Sequence, residues 1–238
     1  MMGHSHAVSG VAIYAAVTLP LPLGLGLTTG NEPGALLLGA LLAGGAALLP
    51  DWDHPQATIS YSLPPLSNLA AAGISTVSGG HRRGTHSLLG LLIASALAFA
   101  LAHLVVPISD HPSHLGAGIL TGFLTTLAAK ALHLFPRNGY LVNWAVGIGA
   151  GALVATTGPL SPLKLTLAVT IGYSAHLLGD AITTGRIKPL LPFNDIEFGL
   201  PLLGDTGSWR EHLLPTAMGL YVAAGIYTTA APWLRAIT

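Results

Sequence analysis

Polar positions along the chain are sparse, and they cluster between long apolar runs rather than alternating with them. A bilayer-spanning helix needs about 20 predominantly apolar residues, and runs close to that length predict helices at 6–27, 34–50, 86–106, 114–135, 141–157, 161–182 and 213–230. Pro20 and Pro22 break the first run, Pro50 ends the second, and the fifth is short. Proline and glycine are tolerated in such helices because neighbouring helices satisfy the freed backbone groups. Segments 51–85 and 183–212 are too polar and too rich in proline and glycine to span. With no internal repeat and no separate soluble region, the expected fold is all-α. It is a polytopic membrane helical bundle forming a single integral membrane domain over 1–238, with about seven transmembrane helices and a range of six to eight.

Composition strengthens the membrane assignment. Hydrophobic residues make up 51% and charged residues 8%, with a mean hydropathy of +0.66, whereas soluble domains carry about 25% charged residues. Nine basic residues balance nine acidic ones, so nothing favours nucleic acid as a partner. Cysteine is absent, which leaves histidines and carboxylates as the strong metal donors. The opening "MMGHSHAVSG" lacks the basic region of a signal peptide, so the expectation is that the chain begins mature.

Seven alternating helices would put the N-terminus and segments 51–85, 136–140 and 183–212 on one side. That side collects Arg82, Arg83, Arg137, Arg186, Lys188 and Arg210, against Lys164 and Arg235 on the other. The positive-inside rule makes the basic side cytoplasmic. The same face receives His6, "DWDH" at 51–54, "HRRGTH" at 81–86, "HLLGD" at 176–180 and Glu211.

Each cluster has a plain structural reading beside a chemical one. Pro50 and one aspartate would suffice to stop a helix and cap the next turn. Asp51, Asp53 and His54 together suit a hard or borderline cation better. His176 and Asp180 stand at i and i+4, one turn apart on one helical face, so both can reach a single ion. Thr85 or Ser87 could cap the following helix, and Arg82 with Arg83 could face lipid headgroups, yet neither accounts for His81 and His86. A phosphate beside a metal would use imidazole as ligand or acid and guanidinium as a bidentate clamp. The metal candidates are therefore His6, Asp51, Asp53, His54, His86, His176 and Asp180; the catalytic candidates are His81, Arg82, Thr85 and Glu211. For Glu211, capping with Ser208 is the competing role.

In order, "HAVSG", "LLPDWDHP", "GHRRGTHSLLG", "GYSAHLLGDAITTGRIKPLLPF" and "GSWRE" resemble the YdjM-like family of bacterial inner-membrane proteins described as metal-dependent hydrolases. The resemblance implies metal and catalytic roles for His6, Asp51, Asp53, His54, His81, Arg82, Thr85, His86, His176 and Asp180. Where the family commonly has a glycine and an aromatic after the first arginine, this chain has Arg83 and Gly84, so no role carries over to Arg83. Motif order is also similar to the zinc-dependent phospholipase C and nuclease group, which implies phosphate-ester substrates. The expected function is membrane-embedded hydrolysis of a lipid or lipid-linked phosphoester by a metal-activated water at the cytoplasmic face of the inner membrane. The divalent metal is expected to be zinc, with manganese or iron as alternatives, and the partners are the lipid bilayer and the substrate. The competing readings are a metal ion or proton transporter and a noncatalytic metal-stabilised scaffold. Transport calls for polar groups at several depths, whereas these gather toward one face.

Overall fold

The computed structural model describes residues 1–27, 32–108, 111–136, 139–158 and 160–237. Among them the chain forms eight α-helices: α1 Gly3–Thr18, α2 Pro33–Ala46, α3 Leu66–Ser78, α4 Leu88–Ala102, α5 Leu115–Ala131, α6 Tyr140–Thr157, α7 Pro162–Ala181 and α8 Trp209–Ile237. A short antiparallel hairpin, β1 Val106–Ile108 with β2 His111–Ser113, joins α4 to α5. The all-helical expectation holds. Each anticipated apolar run carries a helix, and the bounds differ most in the first and last helices. The first helix ends at Thr18, because Pro20 and Pro22 follow at once, rather than running to 27. The last begins at Trp209 rather than 213, its first turn capped by Ser208, whose Oγ accepts from Glu211 N at 3.3 Å. Helix α3 is an addition within 51–85.

One helical stretch, Pro33–Asp53, is both long and apolar enough to cross a membrane, and Leu88–Ala102, Leu115–Ala131 and Leu141–Thr157 are shorter apolar helices. Helix α2 is the hub, packing on α1, α5 and α7. Small residues make that possible, because helices without large side chains at the contact approach backbone to backbone. A Cβ on Gly45 would lie 2.0 Å from Leu124 O, and one on Gly172 would lie 2.1 Å from Ala43 O. The second contact matters most for chemistry. Gly172 lies one turn before His176, so the α2–α7 approach carries His176 against the end of α2. There Pro50 redirects the chain into a 3₁₀ turn, Pro50–Asp53.

Candidate metal centre

Four donor atoms from three separate segments converge at the ends of α2 and α7. His86 Nε2 lies 3.1 Å from His176 Nε2, 3.6 Å from Asp51 Oδ1 and 3.4 Å from Asp180 Oδ2. His176 Nε2 in turn lies 3.6 Å from both carboxylate oxygens. Ligands in a tetrahedron around zinc at about 2.0–2.1 Å stand about 3.3–3.4 Å apart, so these five separations match the edges of one coordination shell. Three overlapping donor groups recur in the same place: His6, Asp51 and His176; Asp51, His81 and His86; and His86, His176 and Asp180.

The ring orientations are fixed from behind. His176 Nδ1 donates to Ala47 O at 2.7 Å, a carbonyl freed at the end of α2, which leaves Nε2 facing the cluster. His86 Nδ1 donates to Thr85 Oγ1 at 3.0 Å, and the Thr85 hydroxyl donates onward to Asp53 Oδ2. Metal-binding histidines characteristically donate their second N–H to a carbonyl or carboxylate in this way. His6 is fully buried and stacks on His176 with ring centroids 3.7 Å apart. Its Nε2 is 3.3 Å from Asp180 Oδ1 but without hydrogen-bonding geometry, so both ring nitrogens lack a partner. Buried polar atoms are rarely left unpaired, and a cation would supply what His6 lacks. The donor set therefore fits a divalent metal of borderline hardness.

Asp53 lies in the supporting layer. Its Oδ1 accepts from His81 Nδ1 at 2.8 Å, and its Oδ2 takes Thr85 and lies 3.5 Å from His86 Nδ1. For His86, burial alone would favour the neutral ring; Asp180, Asp51 and Asp53 reverse this and push it up to about 10.

That reversal has a measurable consequence. Without metal the His86 ring carries a proton throughout the neutral range, and a cation must displace it. Loading the protein with zinc at pH 7.5 is expected to release about one proton per site. Affinity should rise about tenfold per pH unit between pH 6 and 9 and weaken toward acid. Calorimetry in buffers of different ionisation enthalpy reads the proton count directly.

The remaining expected residues occupy defined places. Arg82 adopts a left-handed backbone, φ 59°, and its Nε lies 3.4 Å from Asp180 Oδ2. Its guanidinium lies against Gly185, where an added Cβ would fall 1.3 Å from Nη1. His54 sits outside the donor groups: its Nδ1 accepts from Gln56 N at 3.1 Å, and its ring meets His81 edge-on at 4.6 Å. Glu211 is buried beside the start of α1, with Oε1 accepting from Met2 N at 2.5 Å and Oε2 from Gly207 N at 2.6 Å. It thereby ties α8 to α1, the helix that carries His6. The Met1 amino group donates to Asp180 Oδ1 at 2.6 Å. Ser87, not Thr85, caps α4, its Oγ accepting from Gly90 N at 3.1 Å.

Two residues escaped the sequence reading. Tyr173 donates its hydroxyl to Thr85 O and could have been found at i−3 from His176, on the same face. Gly185 follows the "HLLGD" motif closely, but its role depends on a contact across the fold. A cavity of about 140 Å³ opens beside Asp51, lined also by Gly3, Leu48, Gln56, Ala57, Thr58 and Ile59.

A family model described as YdjM inner membrane protein matches residues 1–236. The chain belongs to this family. The match covers nearly the whole sequence and every motif of the centre, so membrane residence rests on the YdjM family as well as on composition. No curated protein and no solved structure matches the chain.

Proposed function

We propose that this YdjM-family chain is a multi-pass inner-membrane hydrolase that cleaves a phosphoester of a lipid or lipid-linked substrate, with its centre on the cytoplasmic side. The observation that carries the reading is the convergence of His86, His176, Asp51 and Asp180 at 3.1–3.6 Å. His6, grouped with Asp51 and His176, offers one further donor beside them. Zinc best suits mixed imidazole and carboxylate donors, with manganese or iron next. A bound divalent cation supplies an acidified water and polarises a phosphoryl oxygen.

The chain's own groups divide the remaining work. Asp53 fixes His81 through Nδ1, which leaves Nε2 of a partly exposed ring to pass a proton to the leaving oxygen. Arg82, held by Asp180 and one-quarter exposed, offers its remaining N–H groups to the phosphate.

Gly185 has a part in this scheme through Arg82. Gly185→Ala forces the guanidinium aside and is expected to lower turnover about 10–100-fold, matching the loss of one charge-assisted hydrogen bond. Metal content should stay unchanged, and Arg82→Gln should add little on top of it. The function itself is tested by elemental analysis of the purified protein with a turnover screen over phospholipids and phosphodiesters, wild type against His86→Ala. Metal-free protein after reconstitution with zinc, manganese and iron would end the proposal.

A further inference from the structure

Between α7 and α8 the backbone makes a hydrogen-bonded excursion whose apolar side chains no described residue covers. Leu200 N donates to Ala181 O at 2.7 Å and Leu203 N to Ile182 O at 3.0 Å, Ile187 and Phe198 pair in both directions, and Leu88 N is held by Pro189 O at 2.9 Å. From this stitched base Leu190, Phe193, Ile196, Phe198, Leu200 and Leu202 all project exposed, Phe193 at 87%. A pinned backbone cannot fold these side chains inward. Contiguous exposed apolar surface of this kind marks a contact with something apolar.

The surroundings identify that partner. Residues 183–208 hold two basic residues against three acidic ones, and Arg186 and Lys188 already lie 3.8 Å from Glu197. The excursion is therefore not a phosphate-seeking or nucleic-acid surface; its driving force is apolar. It is flanked by Leu178 on the last turns of α7 and by Trp209 at the start of α8, both exposed, with Arg210 stacked 5.6 Å over the indole. Exposed tryptophan beside a basic residue at a helix end is the signature of a membrane–water interface.

We infer that residues 186–203 lie in the bilayer interface on the side of the metal centre, with Phe193 and Ile196 deepest among the acyl chains. The inference rests on the multi-pass reading of the helices. Since the base of the excursion carries Gly185 against Arg82, it would set the guanidinium beside the lipid surface.

Absence of cysteine makes the test clean. Single variants Phe193→Cys, Ile196→Cys, Thr206→Cys and Leu97→Cys of the full chain are nitroxide-labelled, reconstituted into liposomes, and probed by collision with oxygen and with a water-soluble nickel chelate. Thr206 is an exposed loop position and Leu97 an exposed position in the middle of α4. Labels at Phe193 and Ile196 should show high oxygen and low chelate collision, as at Leu97, whereas Thr206 should show the reverse. The result should be the same in neutral and anionic lipid. Water-like collision at both Phe193 and Ile196 overturns the inference, and a lipid-like Leu97 in the same preparation shows that the multi-pass reading survives. Dipolar broadening at Phe193 that persists on dilution with lipid also overturns it, in favour of contact between two copies.

Discussion

Asp180→Asn is expected to empty the metal centre and to reduce turnover by at least about 100-fold, more than loss of an outer-shell partner, which costs about 10–100-fold. The substitution keeps shape and removes only charge. Asp180 Oδ2 faces three groups at once, His86 Nε2 at 3.4 Å, His176 Nε2 at 3.6 Å and Arg82 Nε at 3.4 Å, so its negative charge serves both the cation and the guanidinium. An amide there offers a weaker donor atom and removes the negative charge that Arg82 and the cation both face. Asp53→Asn provides the contrast. Its oxygens meet Thr85, His81 and His86 Nδ1, so metal should remain at reduced affinity while turnover falls. Elemental analysis, turnover and thermal unfolding on the two variants separate the roles. Full metal content in Asp180→Asn would remove this aspartate from the donor set. Loss of metal accompanied by unfolding, with no hydrolysis in the wild type, would favour a metal-fastened scaffold.

The two carboxylates also show how far a sequence reaches. "HLLGD" was legible because helical periodicity alone puts His176 and Asp180 on one face, and the structure brings them together with Asp51, His86 and His6. In "DWDH" periodicity gives no such help, since the 3₁₀ turn Pro50–Asp53 sends Asp51 toward the donor cluster and Asp53 toward the ring Nδ1 atoms. Which side each faces depends on a left-handed Arg82 and on where "GTH" returns after α3. Helix α3 itself was missed because Leu66–Ser78 is too short and too polar to read as a span. Glu211 carried two readings, and its contacts with Met2 N and Gly207 N place it between helix starts rather than among the donors. Apolar runs thus disclose the helices, and motif spacing discloses partners within one helix. Contacts across helices depend on which faces approach, and glycine positions encode that only once the pairing is known.

Gly172→Ala is the test of that last link, and its effect should exceed that of any other single methyl added to α7. A Cβ there would lie 2.1 Å from Ala43 O and 2.8 Å from Ala46 Cβ, so α7 must retreat from α2 or tilt. Overpacking of this kind costs about 1–3 kcal/mol in stability. The larger consequence is for chemistry. His176 lies one turn further along and is held by Ala47 O at 2.7 Å, so any retreat stretches that bond and withdraws Nε2 from His86 and Asp51. Donor geometry tolerates displacement poorly, and an ångström is enough to lose a ligand from a site whose edges match a single shell. Zinc affinity is therefore expected to fall at least about 100-fold while the apo protein still unfolds cooperatively at a lower temperature. Gly149→Ala is the control, since an added Cβ there meets nothing within 4 Å. Equal zinc affinity in the two variants would mean that the α2–α7 approach does not set the position of His176.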